Sequence, residues 1–74
     1  MLISITSEAE AAQALRKIRK ESGVSQQDLS LASNISRKHI SQLETGDANG
    51  SMATWLKLFG ALGASISLNS PASW

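Results

Sequence analysis

The stretch SQQDLSLASNISRKHISQLETG, residues 25–46, decides the fold, because it has the pattern of two short helices joined by a tight turn. Ser25 can cap the first helix, with an acidic partner three residues later. Asn34 lies at the turn, and Asn tolerates left-handed backbone well. Ser36 can cap the second helix, and Gly46 can end it. These signals predict two helices packed against each other across a short connection.

The second of these helices has two chemically distinct faces. Ile40 and Leu43 share the inward face at helical spacing. The outward side chains are hydrogen-bonding or cationic, namely Arg37, Lys38, Ser41 and Gln42. Side chains of these types hydrogen-bond base edges and phosphates. The pattern therefore favours a nucleic-acid-binding helix.

Two longer helices are predicted on either side of this pair. Ser7 and Glu10 have the spacing of a capping box, and they begin a helix that runs to about residue 22. Ser51 caps a last helix to about residue 62. Its predicted apolar stripe, which covers the other helices, consists of Met52, Trp55, Leu56, Phe59 and Leu62.

The two ends of the chain alternate apolar and small polar residues, which suits short β-strands at residues 2–6 and 64–69. Residues 70–74 form a polar tail that ends in Trp74. The expectation is one domain, residues 1–74, with a helical core at residues 7–63. The fold class is mostly α, with four or five helices and short terminal strands that pair with each other or with a second copy of the chain.

Composition excludes several classes of function. The 74 residues carry a net charge of +1 and contain no Cys, which excludes a disulfide or thiolate metal site. The chain has no long apolar run and no signal peptide, so we expect a cytoplasmic protein. His39 is the only His, and no second titratable group has a useful spacing from it. No metal-ligand cluster or Gly-rich phosphate loop appears. We therefore expect a protein that is not an enzyme and that binds no metal and no cofactor.

The residues of the central stretch and of the helices beside it resemble the Xre/Cro-like helix-turn-helix family, the phage-repressor type. The matching positions are Leu15, Arg16, Ile18, Arg19, Gly23, Val24, Ser25, Gln26, Leu29, Ile35, Ser36, Ile40, Leu43, Glu44 and Gly46. The resemblance covers most of the chain and fixes caps, turn and core positions together. It implies a repressor that inserts its second motif helix into the major groove of double-stranded DNA.

The same resemblance implies roles for individual residues. The base-reading positions correspond to Arg37, Lys38 and Gln42. Positions that contact phosphate or brace the recognition helix correspond to Gln26, Ser36, Ser41 and Thr45. Arg19 and Glu44 correspond to an ion pair that orients two helices, which is a structural role.

Size and architecture are similar to the HipB-type antitoxins, which are small dimeric repressors. That resemblance implies a homodimer on a palindromic operator and a HipA-like serine/threonine kinase toxin as a second partner. A stand-alone phage or plasmid repressor fits the same core, and a protein-interaction module without specific DNA binding is the alternative from another class. Trp74 is a candidate partner contact, and a tail without function is the alternative reading.

Overall fold

The computed structural model describes residues 5–66, which form four α-helices. Helix α1 spans Glu8–Glu21, and helix α2 spans Gln26–Ser33. Helix α3 spans Arg37–Thr45, and helix α4 spans Met52–Ala61. The predicted mostly α fold is confirmed, with four helices rather than five in the part of the chain that the structure describes.

Every helix begins after a Ser that caps it. The side-chain oxygens of Ser7, Ser25, Ser36 and Ser51 each accept the backbone N–H three residues later, at 3.0–3.2 Å. Each cap satisfies one backbone donor that the first turn of a helix leaves without a partner. All four predicted helix starts are therefore confirmed.

The two predicted capping boxes have different outcomes. At α2 the box is complete, because the Asp28 carboxylate also accepts the Ser25 backbone N–H at 3.4 Å. At α1 the reciprocal bond is displaced by one residue. The Glu10 carboxylate accepts the backbone N–H of Thr6 at 3.0 Å, and it also accepts the Thr6 hydroxyl. Thr6 therefore offers two donors to this carboxylate, its backbone N–H and its hydroxyl. Hydrogen bonding by Thr6 lowers the pKa of Glu10.

The turn between α2 and α3 is held by Asn34 and Ser33. Asn34 has φ 62°, in the left-handed region, as the sequence predicts. Ser33 is buried, and its hydroxyl donates to the Leu29 carbonyl at 2.7 Å while accepting the Ile35 N–H at 3.3 Å. One hydroxyl therefore links the end of α2 to the first residue after the turn, a role that the sequence analysis missed.

The core lies where the four helices meet, because each helix contributes buried apolar side chains to it. Helix α3 contacts both α1 and α2, and α4 contacts the same two helices. The buried apolar residues are Ala11, Ala12, Ala14, Leu15, Leu29, Ile40, Leu43, Trp55, Leu58 and Phe59. Full burial of a Leu or Ile side chain contributes about 1.5–3 kcal/mol. This core fixes α3 against α1 and α2 and leaves its outer face in solvent.

The apolar stripe predicted for α4 was partly wrong. Trp55 and Phe59 are buried as expected, but Met52 is 61% exposed and Leu56 is 48% exposed. Leu58, which the prediction omitted, is fully buried. Helix α4 is apolar around most of its circumference, so helical spacing alone does not show which side faces α1 and α2. In the structure the buried side of α4 includes Leu58 and excludes Met52 and Leu56.

A long-range clasp connects the start of α1 to the segment that follows α3. One carboxylate oxygen of Glu8 accepts the Gly50 backbone N–H at 2.7 Å and the Trp55 indole N–H at 3.0 Å. These partners lie 42 and 47 residues away in sequence. The clasp holds the α3–α4 connection against α1.

The predicted terminal strands fall largely outside the described residues, as do the tail at residues 70–74 and its Trp74. The portions that are described, residues 5–6 and 64–66, are irregular, and Ala64 and Ile66 pack against the core. Among residues 5–66, none of the helices has both the length and the hydropathy required to cross a membrane.

Candidate nucleic-acid interface

The outer face of α3 begins with two exposed cations. Arg37 and Lys38 occupy the first turn directly after the Ser36 cap, and both are exposed. Neither side chain forms a hydrogen bond or an ion pair with residues 5–66. On the opposite face, Ile40 and Leu43 are buried in the core. Helix α3 therefore presents free positive charge to solvent from a firmly anchored position.

This placement of charge works against the stability of α3 itself. The N-terminal end of a helix carries partial positive charge, so a cation there costs about 0.3–1 kcal/mol when exposed. Helices α1 and α2 follow the rule, with Glu8, Glu10 and Asp28 in their first turns, whereas α3 has no acidic residue there. Cations at the positive end of a helix, with no ion pair among the described residues to offset their charge, indicate a functional surface. A bound polyanion would supply the negative charge that this surface lacks.

The remaining polar residues of α3 extend this surface along the helix. Lys38 and Gln42 are four residues apart, as are Arg37 and Ser41, so each pair lies on one side of the helix. Ser41 and Gln42 are half-buried, and the Gln42 side-chain amide has no hydrogen-bond partner among the described residues. A free amide of this kind offers both a donor and an acceptor to a base edge.

The two hydroxyl groups at the ends of α3 are not equivalent. Ser36 accepts the His39 N–H, but its own hydroxyl hydrogen stays free to donate to a phosphate. The Thr45 hydroxyl lies 3.1 Å from the Ser41 carbonyl and 3.1 Å from the Asp47 carboxylate. Its single hydrogen is therefore already used within the protein, which disfavours a phosphate contact through the Thr45 hydroxyl but does not bear on one through a backbone N–H.

Behind the exposed face, an ion pair fixes α3 to α1. The Arg19 guanidinium donates to both carboxylate oxygens of Glu44, at 2.7 and 2.9 Å. A third bond from Arg19 reaches the Val24 carbonyl at 3.0 Å, between α1 and α2. The Gln26 side-chain amide donates to Glu44 at 3.1 Å. Three helices thus share one hydrogen-bonded network around a single carboxylate.

The two charged side chains of the network are largely shielded from solvent, with 10% of the Arg19 side chain and 3% of the Glu44 side chain exposed. Burial by itself raises the pKa of Glu44. Hydrogen bonds from Arg19 and Gln26, with the charges of Arg19 and Arg16, outweigh burial and lower that pKa below its ordinary value. The hydrogen bond with Glu44 raises the pKa of Arg19. Both groups stay charged near neutral pH, and the pair orients the helices.

The structure places the expected residues in two groups. The exposed face of α3 carries Arg37, Lys38, Ser41 and Gln42, and the buried network contains Arg19, Gln26 and Glu44. Gln26 is half-buried at the start of α2, and it joins the network through its bond to Glu44. Within residues 5–66 no group of His, Asp and Glu is arranged to hold a metal ion. Two further polar residues were not predicted from the sequence. Glu8 has partners more than 40 residues away, whereas the Ser33 hydroxyl bonds locally to the Leu29 carbonyl and the Ile35 N–H.

Comparison with known protein families gives one match over most of the chain. The helix-turn-helix family model matches residues 15–69. That range includes all of α2, α3 and α4 and the second half of α1. A comparison with curated protein sequences finds no match.

Solved structures with a very similar fold exist. A HipB variant in an O2 20mer complex superposes with a TM-score of 0.86 at 25% identity, over 97% of this chain and 100% of that chain. The HipB–O4 20mer complex gives a TM-score of 0.85 at 25% identity, over 96% and 100%. The HipA–HipB–O2–O3 complex gives 0.84 at 25% identity, again over 96% and 100%.

Proposed function

The chain belongs to the helix-turn-helix family, of Xre type, and on that premise we propose that it is a sequence-specific DNA-binding repressor of the HipB antitoxin kind. The observation that carries the proposal is the charge at the start of α3. Arg37 and Lys38 are exposed, have no partner in the described part of the chain and lie at a helix end that disfavours cations. DNA bound to this face supplies the negative charge that the protein lacks there.

In the proposed complex, α3 enters the major groove with its N-terminal residues toward the bases. In this proposal Arg37 or Lys38 addresses guanine, and the amide of Gln42 addresses adenine. The proposed phosphate ligands are Ser36 at the start of α3, Ser41 on its exposed face and Gln26 at the start of α2. Any contact of Thr45 with the DNA would use its main chain and not its hydroxyl, because the hydroxyl hydrogen is already bonded within the protein.

We further propose that the protein acts as a homodimer on two half-sites and that it also binds a HipA-like serine/threonine kinase. The support is the likeness to HipB over nearly the full length of both chains, in complexes that contain 20mers and, in one case, HipA. Half-sites read by such dimers lie about 34–36 Å apart, which is one turn of the duplex.

Selection from a random pool of DNA duplexes tests the DNA-binding proposal. We expect an enriched palindrome, and Arg37→Ala and Gln42→Ala each lose about 1–3 kcal/mol of binding with relaxed choice at one base position. Lys17→Ala is the matched control, because it removes one exposed charge from α1. The proposal fails if no motif is enriched, or if Lys17→Ala costs as much as Arg37→Ala.

A separate experiment tests the second partner. The chain is co-expressed with a HipA-like kinase encoded beside it, and the two are purified together. Co-purification with 1:1 stoichiometry supports the antitoxin assignment, whereas operator binding without a kinase partner favours a stand-alone repressor. Deletion of residues 71–74 tests Trp74, which we propose as a kinase-binding residue. Loss of kinase binding with unchanged operator binding supports that role, and unchanged kinase binding refutes it.

A further inference from the structure

A polar cleft lies where α1, the start of α2 and the end of α3 meet. Its volume is about 170 Å³, and its lining residues are Arg16, Arg19, Gln26, Glu44 and Thr45. At about 30 Å³ for each water in the liquid, this is space for roughly five waters or for a group of similar total size. Every lining side chain is polar, so the cleft suits a hydrated or charged ligand and not an apolar one.

The hydrogen bonds inside the cleft leave Arg16 as its open cationic donor. Both oxygens of Glu44 are engaged by Arg19, and one also accepts from Gln26, so the negative charge in the cleft is already neutralised. The Thr45 hydroxyl has its hydrogen directed to acceptors of the protein. Arg16, in contrast, is exposed and makes no hydrogen bond or ion pair with the described residues.

The amide of Gln26 adds a second, more weakly polar donor. A primary amide has two N–H groups, and one of them is bonded to Glu44. The other is available to a ligand in the cleft. An Arg fork and an amide N–H that line the same cleft, whose carboxylate is already paired with Arg19, match an oxyanion with several acceptor oxygens.

We propose that this cleft binds a phosphate of the DNA backbone, with Arg16 as the residue that holds it. The inference rests on the proposed function, because a duplex that contains α3 in its groove places its backbone beside the residues that flank α3. Arg16 then positions the protein on the duplex and carries no base specificity. Its interaction with phosphate comes from α1, outside the helix-turn-helix pair, and widens the footprint on the backbone.

Salt titrations of DNA binding test the proposal with matched variants. The full-length protein is titrated against two duplexes, one selected by the wild-type protein and one with the same bases scrambled. Arg16→Ala is compared with Lys17→Ala, which removes the same charge from the adjacent residue of α1. Arg16→Lys keeps the charge but removes the planar fork. Thermal melting shows that each variant is folded.

For Arg16→Ala we expect weaker binding to both duplexes by the same factor. The slope of log K against log[salt] becomes shallower by about 0.9 for each phosphate that the variant no longer neutralises, or about 1.8 for a dimer with two clefts. Lys17→Ala keeps the wild-type slope within a few tenths, and Arg16→Lys keeps most of it.

Two results overturn the phosphate site. One is an equal change of slope for Arg16→Ala and Lys17→Ala, since general electrostatics would then explain both. The other is weaker binding of Arg16→Ala to the selected duplex alone, because that would make Arg16 a base reader. Failure of the proposed function has a different signature, namely equal wild-type affinity for both duplexes. In that case the scrambled duplex still measures whether Arg16 binds phosphate.

Discussion

Replacement of Arg19 by Ala removes the only cation that is hydrogen-bonded to Glu44 in the network that joins α1, α2 and α3 within the described residues. Three hydrogen bonds disappear, two to Glu44 and one to the Val24 carbonyl. The Glu44 side chain, 3% exposed, then keeps only the bond from Gln26. A carboxylate that stays buried without its cation is the main source of the expected destabilisation.

The magnitude follows from that burial. Removing one member of a buried ion pair typically costs about 3–5 kcal/mol. Since Gln26 still donates to Glu44, the lower end applies, and we expect Arg19→Ala to lower the free energy of unfolding by about 3 kcal/mol. For a domain of this size, at about 4–8 °C per kcal/mol, the melting temperature falls by about 12–24 °C.

Urea denaturation followed by circular dichroism measures this effect, with all proteins at one concentration so that any dimerisation contributes equally. Lys20→Ala is the matched control, because it removes a positive charge from the neighbouring, exposed position of α1. We expect it to change stability by no more than about 0.5 kcal/mol. A double-mutant cycle with Glu44→Leu and Arg19→Met isolates the coupling between the two side chains.

The cycle has a definite expected sign. Each single substitution leaves one buried charge alone, whereas the double variant removes both charges and replaces them with apolar groups. The double variant should therefore be more stable than the sum of the single effects predicts, by at least about 1 kcal/mol. The reasoning is refuted if Arg19→Ala and Lys20→Ala unfold at the same urea concentration, or if the two single effects add.

Further expectations concern packing, backbone and pH. Gly50→Ala should destabilise by about 1–3 kcal/mol in urea, because its new Cβ would lie 2.9 Å from the Trp55 indole nitrogen; wild-type stability would contradict the clasp geometry. Gly60→Ala should stabilise by about 0.5–1 kcal/mol, since its Cβ meets nothing within 4 Å, whereas Gly23→Ala at φ +71° should destabilise by about 1 kcal/mol. Because the pKa of Glu44 is lowered by folding, its contribution is present above the ordinary value of 4.5 and is lost as the pH falls below it. The melting temperature of Glu44→Gln should therefore change less with pH than that of the wild type in this acid range. Equal pH dependence for the two proteins would contradict the assignment.

Local chemistry made the helix ends predictable from sequence. A Ser before a helical pattern, an Asn at the turn and a Gly after the last turn each act through backbone groups a few residues away. The structure has all these caps, with Asn34 and Gly46 both at positive φ. The Xre-type resemblance, which depends on the same local signals, is confirmed by the family match over residues 15–69.

Interactions between distant parts of the chain were not predictable in the same way. The sector of α4 that becomes buried depends on how α1 and α2 approach it, so Leu58 was missed and Met52 was wrongly placed inside. The Glu8 clasp joins residues more than 40 positions apart, and no spacing rule points to it. For the candidate site, the sequence predicted which residue types lie on α3, but the internal hydrogen bonds of the Thr45 hydroxyl are evident only from the three-dimensional structure.

The two groups of residues at the interface are mechanically linked, and this link determines how variants should be interpreted. Glu44 belongs to α3, and its partners Arg19 and Gln26 belong to α1 and α2. A bidentate hydrogen bond to a base depends on both distance and angle. A small displacement of α3 would therefore weaken it. Loss of Arg19 should therefore weaken DNA binding even in the folded fraction, although Arg19 is buried and is not one of the proposed base-reading residues. Replacement of Arg37 should weaken DNA binding. It should leave the melting temperature unchanged or slightly raised, because a cation is removed from the positive end of α3. Measuring stability and affinity on the same variants separates residues that orient the helix from residues that read the DNA.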